Sequence, residues 1–117
     1  MDSVAFIART KAYSLRVIHL VESLPKDDVS RVLGHQLLRA GCSVSANYRA
    51  ASRAKSRADF IAKLGTVEEE CDETLHWMEL LVDSGRIKAA KVTLLKQEGV
   101  EILAMVVASI RTAKSRR

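Results

Sequence analysis

Glu73, Thr74, Leu75 and His76 give the spacing Glu-x-x-His, which sets a carboxylate and an imidazole on one side of a helix. That is the ligand motif of di-iron carboxylate bundles, where two such pairs and two further glutamates all point inward. This chain has one pair, and on a helix turning about 100° per residue Glu73 and His76 fall away from the neighbouring apolar stripe. No metal centre is expected. His19 and His35 have no partner at ligand spacing and read as surface or flank histidines. Cys42 and Cys71 lack Cys-x-x-Cys spacing and read as small, buried or half-buried thiols in a reducing compartment. The carboxylates crowded between Glu68 and Glu73 are a solvated acidic face rather than an acid–base pair. There is no glycine-rich phosphate loop and no nucleophile–base–orienter set. The expectation is a protein that is not an enzyme and takes no cofactor.

The chemistry that the sequence does offer is cationic. From Val29 to Ala58 there is no Asp or Glu, while Arg31, Arg39, Arg49, Arg53, Lys55 and Arg57 fall within the stretch. On a helix, Leu33, Leu37, Ala40, Val44, Asn47, Tyr48 and Ala51 share one arc. Arg31, His35, Arg39, Cys42, Ala46, Arg49 and Arg53 share the opposite one. Between them runs a flank of Gly34, Gly41, Ser45 and Ser52. A helix that needed only solubility would mix both signs of charge. The acid-free face therefore points to an anionic partner. The natural ligand of such a face is phosphate, which an arginine fork holds through two hydrogen bonds. Glycines seven apart in a helix, each costing up to about 1 kcal/mol against alanine, point to a close approach by another backbone. The C-terminal run adds Arg111, Lys114, Arg116 and Arg117, with no acid after Glu101.

Positioning these groups falls to helices. The chain of 117 residues is one domain. Hydrophobic residues make up 48%, which excludes a disordered tail, and aromatic residues only 4%, which argues against a base-stacking sheet platform. One proline, five glycines and few β-branched alternations imply an all-α fold. The net charge of +5 permits nucleic acid or another anionic surface as partner. No run approaches the roughly 20 apolar residues of a membrane span, and the N-terminus lacks a signal-peptide pattern. A cytoplasmic protein without a membrane partner is expected.

Four helices are read at about 3–23, 29–54, 57–83 and 88–113, forming an antiparallel up-down-up-down bundle. The first carries the stripe Phe6, Thr10, Tyr13, Val17, Leu20, Val21 and Leu24, and stops before Pro25. Asp27, Asp28 or Ser30 caps the second. Ser56, with Asp59 three residues on, opens the third, whose core stripe is Phe60, Leu64, Val67, Cys71, Thr74, Leu75, Met78 and Val82. From Val67 to Asp83 that helix holds seven acids and no Lys or Arg, the mirror image of the second helix. Gly85 ends it. The fourth turns Val92, Leu95, Gly99, Ile102, Val106, Ser109, Ile110 and Ala113 inward. Leu103, Met105 and Val107 lie on its other sides, so it is apolar on more than one face, which implies an oligomer.

The run Leu37-Leu38-Arg39-Ala40-Gly41-Cys42-Ser43-Val44-Ser45-Ala46-Asn47-Tyr48-Arg49-Ala50 is similar to the second-helix signature of the bacterial four helix bundle family, which includes proteins encoded in intervening sequences of 23S ribosomal RNA genes. Ser56, Phe60–Leu64 and Glu70–Trp77 fit its third helix, and the likeness runs from Phe6 to the arginine-rich tail. The sequence departs from the pattern at Ala50–Ala51, where a glutamate is common, and at His76, where an aromatic is usual. The family resembles in fold the pentameric accessory proteins of diversity-generating retroelements, which bind nucleic acid and a reverse transcriptase. The resemblance implies a homopentamer with RNA binding. Arg39, Arg49, Arg53, Lys55 and Arg57, with Arg111, Lys114, Arg116 and Arg117, are the candidate phosphate contacts. Gly34, Gly41, Ser45, Glu73, Trp77, Leu103 and Val107 are the candidate subunit contacts. The rival reading is a protein-interaction scaffold, or accessory subunit of a reverse transcriptase, whose basic face meets an acidic protein or pairs subunits.

Overall fold

A computed structural model describes residues 2–116. It contains four helices, α1 (Ser3–Glu22), α2 (Asp28–Ala51), α3 (Arg57–Asp83) and α4 (Thr93–Ser115), and no strand among the described residues. They form a helical bundle of about 50 × 21 × 20 Å. Each helix packs on the next, and α1 also touches α4.

The starts of the first three helices are written in short polar side chains. Asp2 accepts from the backbone N–H of Val4 at 3.0 Å. Asp27 accepts from the N–H of Ser30 at 2.9 Å and from its hydroxyl at 2.7 Å. The Ser56 hydroxyl accepts from the N–H of Asp59 at 3.0 Å, while Asp59 reaches back to the N–H of Lys55 at 3.1 Å. Each contact satisfies donors that a helix start leaves free. At the far end of α3, Gly85 takes a φ of 80°. Its left-handed turn lets the N–H of Arg86 bond the Leu81 carbonyl at 2.9 Å.

Two expected boundaries move. α2 stops at Ala51 rather than 54, where Arg53 and Ala54 tighten into bonds to the carbonyls of Ala50 and Ala51. α4 begins at Thr93 rather than 88. Residues 88–91 offer no side-chain acceptor for the first N–H groups, so the chain first closes a 3-10 turn, Ala89–Lys91.

The stripes read from the sequence form the core. Tyr13, Val17, Leu37, Val44, Leu64, Val67, Met78, Ile102 and Val106 are fully buried. Ser14 and Leu81 join them, although neither lies on an expected stripe. Val21, Phe60, Val82 and Ser109 are only half-buried.

Glycine decides how closely α1 and α2 approach. A Cβ on Gly41 would stand 2.6 Å from a methyl of Val17, and one on Gly34 would stand 2.9 Å from Leu24. Beside Gly41, the Ser14 hydroxyl donates to the Gly41 carbonyl and meets the Ser45 hydroxyl, both at 2.7 Å. The close approach expected at these glycines is therefore met by α1 of the same chain. Gly34 and Gly41 are buried there and Ser45 is half-buried, so this flank does not present the subunit contact expected of it. Gly99 follows the same rule, since a Cβ there would lie 2.5 Å from the buried Tyr13 hydroxyl. Gly65, in the middle of α3, has nothing opposite it within 4 Å.

Charge joins α1 to α4. Arg9 donates from Nε and Nη2 to the two carboxylate oxygens of Glu98, at 2.9 and 2.7 Å, and from Nη2 to Glu101 at 3.1 Å. These hydrogen bonds hold the Glu98 carboxyl below its ordinary range against the opposing effect of burial, and raise the Arg9 guanidinium.

Three outcomes follow. Leu37→Asp or Val67→Asp should abolish the cooperative unfolding transition, since each buries an unpaired charge costing several kcal/mol; circular dichroism with urea checks this. Gly41→Ala should destabilise by about 1–3 kcal/mol through collision with Val17, whereas Gly65→Ala should stabilise the monomer by up to about 1 kcal/mol. Glu98→Gln should cost roughly 1 kcal/mol at neutral pH. Because the folded carboxyl titrates below the unfolded one, this contribution is present above the unfolded value and lost as pH falls through the folded one. The gap between wild type and variant in a pH series of melts should therefore close on acidification below about pH 4.

Candidate nucleic-acid interface

The two basic segments read separately in the sequence meet at one end of the bundle. Arg57, at the start of α3, donates to the backbone carbonyl of Arg116, just past the end of α4. The Ser3 hydroxyl, at the start of α1, lies 3.3 Å from the Tyr48 hydroxyl in the last turn of α2. This end therefore collects the C-terminal turns of α2 and α4, carrying Arg49, Arg53, Lys55, Arg111, Lys114 and Arg116, together with Arg57. All seven are exposed, and none pairs with a carboxylate among the described residues. Cations at helix C-termini are also favoured by the helix dipole, which contributes a few tenths of a kcal/mol or more to each, about 0.3–1. Asp59, the nearby acid of α3, is occupied by Lys63 at 2.6 Å and by its capping bond, which together hold its carboxyl below the ordinary range. Arg117 lies outside the described residues.

Between the basic groups opens a cavity of about 420 Å³, lined by Ser3, Tyr48, Phe60, Met105, Thr112 and Arg116 among others. Tyr48, which lines it, meets the buried Phe6 edge to face, with ring centroids 4.6 Å apart. Sequence reasoning assigned Tyr48 and Phe60 to the core, and their place beside the basic end had no signal in the linear pattern.

Arg39 differs from Arg49 and Arg53 on the same face, and, like Arg31, which bonds Asp28 at 2.8 Å, it is paired with acid. Its guanidinium bonds Glu70 at 3.2 Å and also Glu73, both on α3 of the same chain. It is thus engaged in joining α2 to α3 and is not a free phosphate contact. Glu73, expected at a subunit contact, is engaged by the same pair and by the Trp77 indole N–H at 3.4 Å. Trp77 is half-buried and stacks edge-on against His76, with centroids 5.0 Å apart. Leu103 and Val107 are half-buried and line a groove of about 370 Å³ along the outer seam of α3 and α4, with Gly65, Glu68, Glu69 and Asp72.

Among the described residues no group of three or more His, Cys, Asp or Glu gathers where a metal ion could sit. Burial first, then neighbouring Glu70, pushes the Cys71 thiol up to about 12, and burial also raises that of Cys42. Neither is an activated nucleophile. No helix among the described residues is long and apolar enough to cross a membrane.

Comparison with known proteins extends this picture. A search of curated proteins gives no match. A crystal structure of a protein with unknown function from the S23 ribosomal protein family of Bacteroides thetaiotaomicron VPI-5482 superposes with a TM-score of 0.87. The two are 31% identical over 95% of this chain and 99% of that one. The family model described as 23S rRNA-intervening sequence protein matches residues 4–108. The chain belongs to the 23S rRNA-intervening sequence protein family.

Proposed function

We propose that this protein is a non-enzymatic, cytoplasmic up-down-up-down four-helix bundle that assembles into a homopentamer and holds RNA through its phosphate backbone. The observation that carries the reading is the basic end. Arg49, Arg53, Lys55 and Arg57 from one acid-free segment and Arg111, Lys114 and Arg116 from another come together there without a carboxylate partner among the described residues. Seven unmatched cations in one region attract a polyanion, and each phosphate they neutralise releases counterions. With so few aromatics exposed, recognition rests on phosphates rather than bases and is weakly sequence-selective. The joining of all four helix ends at this point supports the up-down-up-down course.

Titration of labelled single-stranded RNA, followed by fluorescence anisotropy, tests the reading. Affinity should fall steeply with salt, by a slope of roughly 0.7 per phosphate contact in a plot of log affinity against log salt. Combined Arg53→Glu, Arg57→Glu, Arg111→Glu and Lys114→Glu should lower affinity at least tenfold across sequences and flatten that slope while helicity is kept. Arg39→Glu should instead lower stability, because it sets a third acid beside Glu70 and Glu73. Absence of binding to RNA or DNA at low salt would overturn the reading in favour of an acidic protein partner. Light scattering should give a mass near five times 12.9 kDa, and a monomer would refute the assembly.

A further inference from the structure

We infer that the outer seam of α3 and α4 is the seat for the exposed face of α1 from a second copy of this chain, an inference that rests on the oligomer proposed above. Of the four glycines inside helices, Gly34, Gly41 and Gly99 each make room for a side chain of their own chain, and Gly65 makes room for nothing. Gly65 opens the floor of the groove that Leu103 and Val107 line, and Glu68, Glu69 and Asp72 rim it. None of these three acids meets a cation among the described residues. The surface is thus apolar at its centre, acidic at its edge, and shaped for the close approach of a helix with small side chains.

The matching surface is on α1. Val4, Ala8, Lys11 and Leu15 recur at spacings of four, three and four along its outer side, with Ala5 and Ala12 beside them. All are exposed, Val4 to 76% and Leu15 to 47%. No acid occurs from Ser3 to Val21, and neither Lys11 nor Arg16 pairs with a carboxylate among the described residues. The alanines suit the floor left open by Gly65, Leu15 suits Leu103 and Val107, and Lys11 and Arg16 suit the acidic rim. α1 and α3 both pack on α2 and on α4, so they face each other across the bundle and their outer surfaces point apart. One chain cannot bring the two together. Joined between copies they make a head-to-tail contact, the kind that closes into rings, and they leave the basic end uncovered.

Light scattering on the full chain, with circular dichroism to confirm folding, tests this. The Cβ of a leucine at Gly65 would have no atom of its own chain within 4 Å, so Gly65→Leu should keep helicity and leave a monomer at concentrations where the wild type is assembled. Lys11→Glu with Arg16→Glu should do the same, as should Glu69→Lys with Asp72→Lys. All four charge changes in one chain should restore the wild-type mass, a rescue that mere misfolding cannot give. If the wild type is assembled and these variants keep its mass, the seam is not the interface and this inference falls while the oligomer stands. If the wild type is itself a monomer, both fall.

Discussion

The missing Cβ of Gly41 is the constraint on which the bundle depends. It lets Val17 of α1 seat directly against the backbone of α2, and Ser14 bond the Gly41 carbonyl from the side. Interiors are packed too tightly for such an approach to be relaxed at one point alone. With α1 and α2 drawn together, Tyr13 reaches across to α4, where Gly99 leaves room for its ring and hydroxyl. Arg9 then ties α1 to α4 through Glu98 and Glu101. Close contact at one seam thus sets the spacing of the others.

Charge is sorted on top of this packing. The basic face of α2 and the acidic face of α3 are adjacent, yet among the described residues only Arg39 bridges them, to Glu70 and Glu73. A half-exposed pair of this kind contributes roughly 0–1 kcal/mol to stability, so its larger effect is on which helices sit side by side. Arg31 pairs with Asp28 in the first turn of α2, whereas Arg49, with Arg53 and Lys55 just beyond the helix, lies at its C-terminal end, where the cations of α4 join them. The remaining acids of α3 turn toward α4. A chain with a net charge of +5 thereby carries a basic end and a separate acidic seam.

The S23-family structure from Bacteroides thetaiotaomicron shares this fold at 31% identity over nearly the whole of both chains. The family membership places the chain among proteins named for intervening sequences in 23S rRNA. Phosphate binding is inferred from the chain's own basic end, whose geometry is independent of that name, whereas the pentamer is inferred from the family resemblance.

The sequence by itself determined the helices, because their information is local. Stripes at spacings of three and four, the caps Asp27 and Ser56, and the stop at Pro25 act within a few residues of where they stand. The third helix was legible to its last residue, whereas the end of the second and the uncapped start of the fourth were misplaced. The flank of Gly34 and Gly41 announced a close neighbour, but no helical pattern says which neighbour. Tertiary packing decided that it is α1 of the same chain, leaving this flank buried rather than free for another subunit. The arginines show the same divide. A linear pattern shows that Arg39, Arg49 and Arg53 share a face, whereas only folding sets Arg39 against Glu70 and Glu73, about thirty residues on, and brings Arg57 to Arg116. Which charges are matched and which stay free depends on contacts between distant segments, and these exist only once the helices have packed.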